Sequence, residues 1–335
     1  MNNPRVALVA MLVAVEIVLI GMMMFALNGG AWNSGVFAAS SGFHHVNITG
    51  KTYAPVAAGL SPHVQIDDPY SGVHVSASND GLVHVQDLTS VHGFVWGESN
   101  IADLTISRTF DGVHIVRPTH TGSDISVLGS DFERIEVQVP SGSHVDIGHS
   151  SSAEVAGMNN NVDVLSQDGH IALSDIRGNV SAHSDDGHVD AVNVTGDNVA
   201  ISSDDGSVHL RNVNARLLSA RSADGRIEAL NLAIDGAAAH ATLHTDDGTV
   251  IVNGRFTPKG SYDFSTGDGR VELGLAPGAD LTIDASTGDG HIYVDGTSYG
   301  DGDAAAHTVR VGGGSGAMRL TSQDGSIHIT TNGAI

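Results

Sequence analysis

Histidine and aspartate are the side chains whose repeated spacing could hold a metal ion in this chain of 335 residues, 19 of which are His. His170 and His188 each follow an Asp-Gly pair at the same position of successive repeats, and Asp190 lies two residues beyond His188. Imidazole nitrogens and carboxylate oxygens are ligands of Zn²⁺, so these three residues are the chain's candidate zinc site. Exposed polar residues on a strand explain the same pattern, and we therefore predict no metal and no other cofactor.

The Asp-Gly pairs are the second candidate set. Carboxylates in register could bind Ca²⁺ through their oxygens, and Asp185, Asp204 and Asp246 add further carboxylates. The spacing does not match the glycine-rich pattern of calcium-binding β-rolls, and Asp and Gly are typical turn residues. We therefore interpret the pairs as a structural turn ladder. They are Asp168-Gly169, Asp186-Gly187, Asp205-Gly206, Asp224-Gly225, Asp247-Gly248, Asp268-Gly269, Asp289-Gly290 and Asp324-Gly325.

Catalysis and nucleic-acid binding have little support in the composition. The chain has no Cys, which excludes thiol nucleophiles, thiolate metal sites and disulfides. Lys and Arg number 15 against 38 Asp and Glu, for a net charge of −23, which excludes nucleic acid as a partner. Some β-helix enzymes cleave acidic polysaccharides with carboxylates in a surface groove. The compact repeats and the isolated basic residues, such as Arg226 and Arg270, favour a protein with no catalytic residues.

Short strands with a period of about 20 residues must position these side chains. Apolar residues stand two and four positions after each turn glycine, and also seven and five positions before it. This spacing of two predicts extended strands with one face turned inward. The inward positions after the glycine are Ile171/Leu173, Val189/Ala191, Val208/Leu210, Ile227/Ala229, Val250/Val252, Val271/Leu273, Ile292/Val294 and Ile327/Ile329. Those before it are Val162/Val164, Val180/Ala182, Val199/Ile201, Leu218/Ala220, Ala241/Leu243, Tyr262/Phe264, Ile283/Ala285 and Met318/Leu320.

The turn chemistry agrees with a coil. We expect the Gly to supply a positive φ and the Asp to cap local N–H groups. A hydroxyl residue three positions before each Gly is expected to stack at the corner and to hydrogen-bond between layers. A third apolar position and a second bend then follow, which favours a coil over a hairpin. The hydroxyl residues are Ser166, Ser184, Ser203, Ser222, Thr245, Thr266, Thr287 and Ser322, and the third apolar residues are Ile176, Val194, Val213 and Leu232.

The sequence therefore predicts an all-β fold, a single-stranded β-solenoid of about 20-residue coils, preceded by one N-terminal transmembrane helix. A meandering β-sheet or a sandwich is the alternative for the repeats. Residues 63–335 are expected to form the solenoid, with regular coils from about 160 and less regular units before them. The Gly- and Asp-rich stretch 296–316 is expected to be an inserted loop.

The N-terminal part predicts a membrane anchor. Residues 6–27 are apolar with one charge, Glu16, and span roughly 30 Å as a helix. Arg5 precedes them and no basic residue follows until Lys51, which places residues 1–5 in the cytoplasm and the remainder outside. A cleaved signal peptide is the alternative. Residues 28–62 are expected to be a spacer.

Two segments carry a family resemblance. Residues 134–142 (RIEVQVPSG), followed by successive V-x-S-x-D-G-x-V coils, and residues 275–281 (LAPGADL) resemble bacterial proteins named putative adhesins with β-strand repeats, a family catalogued as a domain of unknown function. The resemblance covers roughly residues 66–335. It implies the repeated architecture and an N-terminal membrane helix, and it carries no catalytic residue over to this chain.

The predicted function is that of a non-enzymatic cell-surface or envelope protein, periplasmic or at the cell surface. Its flat polar strand faces would contact glycans or proteins, as in an adhesin or a binding scaffold. A polysaccharide-active β-helix enzyme and a structural or sensory envelope protein are the alternatives. An open edge after Ile329 leaves room for end-to-end self-association.

Overall fold

A computed structural model describes residues 43–48, 50–96, 102–118, 125–300 and 303–333, and these residues form strands, turns and connecting segments. No helix in these ranges is long and apolar enough to span a bilayer. Residues 6–27, the predicted anchor, lie outside the described residues. The predicted spacer, 28–62, contains two strands in its described part. The all-β prediction is confirmed for the described chain.

Twenty-six strands occur in the described residues. They are β1 (Phe43–Ile48), β2 (Lys51–Thr52), β3 (His63–Ala77), β4 (His84–Asp87), β5 (Ser90–Trp96), β6 (Thr105–Arg108), β7 (Gly112–Val116), β8 (Ile125–Phe132), β9 (Arg134–Val139), β10 (His144–Ala156), β11 (Val162–Ser166), β12 (Ile171–Arg177), β13 (Val180–Ser184), β14 (Val189–Ser203), β15 (Val208–Ser222), β16 (Ile227–Ile234), β17 (His240–Asp247), β18 (Val250–Phe256), β19 (Ser261–Asp268), β20 (Val271–Leu275), β21 (Leu281–Asp289), β22 (Ile292–Val294), β23 (Thr297–Tyr299), β24 (Asp303–Val311), β25 (Gly316–Asp324) and β26 (Ile327–Thr330).

The chain divides into two units. The smaller unit contains a three-stranded sheet in the order β1-β5-β8, in which β1 and β5 are antiparallel. The larger unit contains the other 23 strands. It holds every residue that the sequence singles out as a candidate site or as part of the turn ladder.

The larger unit is a β-solenoid built from two rows of mostly parallel strands. The first row contains the strands that follow the Asp-Gly turns, and the second contains the strands that precede them. Four long strands, β3, β10, β14 and β15, bend and contribute to both rows. The first row runs β2-β4-β9-β3-β10-β12-β14-β15-β16-β18-β20-β26-β22-β23. The second row runs β6-β7-β3-β10-β11-β13-β14-β15-β17-β19-β25-β21-β24.

The core lies between the two rows and consists of the predicted inward residues. All of them are buried except Val294, which is half-buried. Val294 lies in β22, beside the antiparallel strand β23 at the end of the stack. Alternation of buried and exposed residues along each strand gives every coil an apolar inner surface that only the neighbouring coils can cover. The predicted solenoid is therefore confirmed.

The hydroxyl stack at the corner is also confirmed, and all eight of its residues are buried. Ser203 Oγ donates to the carbonyl of Gly187 at 2.7 Å, one layer below, and accepts the N–H of Gly206 at 2.9 Å. Ser184 and Ser222 make the same two kinds of contact. Each of these hydroxyls therefore satisfies a buried donor and a buried acceptor.

The expected role of the turn pairs is wrong in two respects. Of the eight turn glycines, only Gly269 has a positive φ, and at 159° it is close to fully extended. Glycine is needed for another reason: a Cβ added to Gly206 would lie 2.3 Å from the carbonyl oxygen of Gly187. The turn Asp side chains are exposed and accept no hydrogen bond from the described residues, so the hydroxyls rather than the carboxylates cap the turns.

The left-handed backbone conformation occurs at the second bend instead. Asp175, Asn193, Asn212 and Asn231 have φ values of 54°, 57°, 56° and 55°. The amide nitrogen of each Asn donates to the side-chain oxygen one coil below, at 2.7–2.9 Å. Asn tolerates this conformation better than most residues. The bend is therefore fixed by a ladder of side-chain amides.

Both ends of the solenoid depart from chain order. β26 lies between β20 and β22, and β25 lies between β19 and β21. The last coil of the chain is therefore inserted before the preceding one, and the antiparallel strands β23 and β24 cover the terminal coil. At the other end β3 lies between β10 and the strands β7 and β9, which are covered by antiparallel β6 and β4.

This order corrects two predictions. The strand that contains Ile329, β26, is not an open edge of the sheet, because it is paired on both sides. The predicted loop 296–316 contains β23 and β24, which form the cover of that end. Self-association of the solenoid stays a prediction, and the edge it would use belongs to these antiparallel strands.

A buried ion-pair network connects the covering strands at the N-terminal end. The Arg117 guanidinium lies 2.8 Å from Asp68 and 3.1 Å from Asp87, and its side chain is 1% exposed. It also donates to the carbonyl of Ala102 and to the hydroxyl of Thr89. A buried charge is tolerated when its donors and acceptors are all paired in this way.

Candidate binding face

The candidate functional surface is the outer side of the first row of strands, here called the first face. Its central line of side chains runs along the coil axis. It consists of the residues three positions after the turn glycines and of their in-register neighbours in β9, β3 and β10. Coils repeat every 4.7–4.9 Å, so these side chains are close neighbours. In spatial order the central line is Glu136, His74, Glu154, Ala172, Asp190, His209, Glu228, Ile251, Glu272, His328 and Tyr293.

Carboxylates and imidazoles alternate along parts of this line. His74 Nδ1 lies 2.8 Å from Glu154 Oε2, and His209 Nδ1 lies 2.8 Å from Asp190 Oδ1. Near one end, burial and then the charge of Arg270 lower the pKa of His328, while Glu272 opposes the shift. The line therefore offers acceptors and donors in alternation, at spacings set by the coils.

A shallow depression of about 280 Å³ lies on the first face. Asp190, His209, Arg211 and Glu228 supply its polar groups. Val192 and Leu230 supply apolar surface beside them. The depression therefore places apolar surface next to polar groups that the coils hold in position.

The structure brings together the predicted metal-site residues. The donor atoms of His170, His188 and Asp190 all lie within 4.8 Å of one another. His170 Nε2 is 3.4 Å from Asp190 Oδ2, and the His170 and His188 rings are 4.2 Å apart between centroids. The three residues lie on the first face, beside the depression. Their juxtaposition is as the sequence predicted.

A second group with metal-ligating side chains lies at the corner of the second row, where the donor atoms of His183, Asp185 and Asp204 also approach within 4.8 Å. His183 is bonded through both nitrogens, to Ser202 Oγ at 2.9 Å and to Asp185 at 3.0 Å. His244 repeats both contacts at the same two distances, with Ser265 and Asp246. The repeat at His244 has Gly267 in the position of Asp204. The arrangement therefore forms without the second carboxylate and is explained as a structural contact between coils.

The turn ladder places its eight Asp side chains in an exposed line. Direct neighbours include Asp268 with Asp324 and Asp289 with Asp324. The line adds to the negative charge of the surface.

Sequence reasoning missed several of these contacts. The pairing of His74 with Glu154 joins residues far apart in the chain, because β3 is inserted beside β10. The network around Arg117 was missed for the same reason. The Asn ladder had a signal in the sequence, since Asn193, Asn212 and Asn231 each stand directly before the third apolar position of the coil.

Comparisons with known proteins identify the family. The family model described as Toastrack DUF4097 matches residues 111–330. This confirms the predicted family of repeated β-strands catalogued as a domain of unknown function. A search of curated proteins finds no match.

Three solved structures are similar to this chain at low identity. A putative adhesin from Bacteroides fragilis NCTC 9343 is 14% identical, with 88% of this chain and 98% of that chain covered and a TM-score of 0.40. A putative adhesin from Parabacteroides merdae ATCC 43184 is 10% identical, with 84% and 96% covered and a TM-score of 0.34. A putative cell adhesion protein from Clostridium sporogenes ATCC 15579 is 9% identical, with 87% and 99% covered and a TM-score of 0.22.

Proposed function

This chain belongs to the Toastrack DUF4097 family, and from its solenoid we propose that it is an adhesin-like, non-enzymatic binding scaffold. It contacts a glycan or a protein through the first face. The observation that carries the proposal is the central line of alternating carboxylates and imidazoles beside a shallow depression. These groups are positioned by the coils and are partly exposed to solvent, so a ligand can reach them.

The chemistry of the face suits a ligand with its own repeats. Val192 and Leu230 offer apolar contact, while Arg211 and Glu228 offer a donor and an acceptor beside it. Because the coils repeat the same spacing, a polymeric ligand can engage several coils at once, and its affinity then exceeds that of a single contact. The net charge of −23 disfavours anionic polymers. The ligand is therefore expected to be a neutral glycan or a protein surface without strong negative charge.

A polysaccharide-cleaving enzyme is the rival function, and it requires carboxylates at the walls of a groove that holds the chain. The depression on the first face is shallow, and its polar side chains are exposed or half-buried. This geometry supports binding in preference to catalysis.

The proposal includes attachment to a membrane. Residues 6–27 would anchor the chain, with residues 1–5 in the cytoplasm and the solenoid outside. Protease treatment of intact bacterial spheroplasts tests this arrangement. The solenoid should be digested from outside while a tag on residue 1 stays protected, and protection of the solenoid would contradict it.

Ligand binding by the full chain in detergent micelles tests the recognition proposal. Glycan arrays test binding to glycans, and binding of the chain to immobilised envelope proteins tests the protein class. The triple variant His209→Ala, Glu228→Ala, Glu272→Ala alters the first face, and His244→Ala, Asp263→Ala, Asp284→Ala is the matched control on the second row. The first triple should abolish a signal that the second keeps. No signal with either ligand class, or equal loss in both triples, would refute the proposal.

A further inference from the structure

We propose that His170, His188 and Asp190 bind one divalent transition-metal ion, with Zn²⁺ as the best match. Their donor atoms lie within 4.8 Å of one another on adjacent coils of the first face. Zinc ligands at 2.0–2.2 Å in a tetrahedral site are separated by about 3.4 Å from one another. The distance from His170 Nε2 to Asp190 Oδ2 is 3.4 Å, so two of the three ligands already have this separation.

The hydrogen bonding of His170 leaves one nitrogen free for a cation. Its Nδ1 lies 3.1 Å from the carbonyl oxygen of His188. A carbonyl only accepts, so Nδ1 carries the hydrogen and Nε2 of the neutral ring carries a lone pair. That lone pair faces the carboxylate of Asp190, which is also an acceptor. With the neutral ring two acceptors face each other at this distance, and the position between them suits a cation, either a proton on Nε2 or a metal ion that replaces it.

Asp190 is oriented from its other side. Its Oδ1 accepts from His209 Nδ1 at 2.8 Å, which leaves Oδ2 directed toward His170. The residue beside Asp190 on the previous coil is Ala172, whose short side chain leaves room for the His170 ring. Partners of this kind, which fix a ligand through its second atom, are found around most protein metal sites.

His188 completes the set of three ligands. Its ring contacts the His170 ring at a centroid distance of 4.2 Å and an angle of 40°. His188 is exposed, so closing the site requires only a rotation of this side chain. A fourth ligand then comes from water, as in zinc sites with three protein ligands.

The second group of metal-ligating side chains provides the contrast. As a neutral ring His183 can satisfy both partners, because the Ser202 hydroxyl can donate to Nδ1 while Nε2–H donates to Asp185. His170 instead faces an acceptor at each nitrogen, the His188 carbonyl and the Asp190 carboxylate. The proposed site therefore predicts binding at His170 and not at His183. The two histidines are half-buried to a similar degree, with side chains 38% and 35% exposed, which makes them a matched pair for mutation.

Calorimetric titration of the full, metal-stripped chain in detergent with ZnCl₂ tests the inference. One ion should bind with higher affinity than the background of exposed carboxylates and imidazoles. His170→Ala and Asp190→Asn should each weaken this binding at least about tenfold, since loss of even a supporting partner weakens metal sites 10–100-fold. His183→Ala should leave it unchanged. Circular dichroism of each variant checks that the solenoid stays folded.

Cobalt provides a second readout of the same site. Co²⁺ bound to two imidazoles and a carboxylate in a tetrahedral site gives visible absorption that loosely bound surface Co²⁺ lacks. The wild-type chain should show this absorption, and Asp190→Asn should lose it. Absence of a tight site, persistence of binding in both ligand variants, or loss of binding in His183→Ala would each overturn the assignment.

Discussion

Replacing Gly206 with alanine tests why glycine is needed at the turns. An added Cβ would lie 2.3 Å from the oxygen and 2.5 Å from the carbon of the Gly187 carbonyl, and 2.8 Å from the nitrogen of His188. All three atoms belong to the backbone of the adjacent coil and cannot rotate away. Gly206 does not have a positive φ, so the steric contact alone sets the cost of the substitution.

The expected loss of stability follows from two contributions. Overpacking of a tight site costs about 1–3 kcal/mol. Moving the turn also disrupts the two hydrogen bonds of Ser203, to the Gly187 carbonyl at 2.7 Å and from the Gly206 N–H at 2.9 Å, each worth about 0.5–1.5 kcal/mol. Gly206→Ala should therefore reduce the free energy of unfolding by roughly 2–6 kcal/mol.

Urea denaturation followed by circular dichroism measures this loss as a shift of the midpoint. Gly148→Ala is the control, because its added Cβ meets no atom within 4 Å, and its effect should stay within about 1 kcal/mol. Gly206→Asn separates the two explanations for the glycine. Asn tolerates a positive φ, so Gly206→Asn would cost little stability if φ were the reason for the glycine. Steric contact instead predicts the same large loss of stability as for Gly206→Ala. An unchanged midpoint for Gly206→Ala would refute the reasoning.

Three further predictions concern the ends and the second bend. Arg117→Met should cost about 3–5 kcal/mol, because it leaves two buried carboxylates unpaired, and amide hydrogen exchange should show the loss at the N-terminal end of the solenoid first. Asn212→Ala should cost about 1–2 kcal/mol from its left-handed backbone, and Asn212→Gly less, by the same urea assay. Hydrogen bonds from Ser315 and Thr331 lower the pKa of Asp280 and Asp295. The stability that these two carboxylates contribute is therefore fully present above their ordinary pKa of 3.8 and is lost as the pH falls through the lowered pKa. Asp295→Asn should reduce this loss of thermal stability at acidic pH, measured by thermal melts.

The repeated coils could be predicted from the sequence because their determinants are local. Alternation at Ile171 and Leu173, and at the matching positions of later coils, identifies the inner surface without any knowledge of neighbours. The hydroxyl position was predictable for the same reason, since Ser203 shares the parity of the buried residues. Coil register then follows from the period, which brings His170 and His188 together with Asp190.

The ends could not be predicted, because coil order depends on pairing between distant segments. The residues of β26 satisfy the same pattern whether the coil lies last or is inserted between β20 and β22. The role of the turn glycine was misjudged because Asp-Gly is common in turns with positive φ. Here the layers approach so closely that a side chain is excluded, which becomes visible only when two coils are placed side by side.

The order of coils is tested most directly by engineered disulfides, since the chain has no cysteine of its own. Ser265 is the direct neighbour of Thr321, which in turn is the direct neighbour of Ser286. Neighbouring coils are about 4.8 Å apart, within the range for a disulfide, whereas alternate coils are about 9.6 Å apart and beyond it. The pair Ser265→Cys with Thr321→Cys should therefore cross-link under mild oxidation, and Ser265→Cys with Ser286→Cys should not. Efficient cross-linking of the second pair without the first would show coils stacked in chain order and would contradict the account.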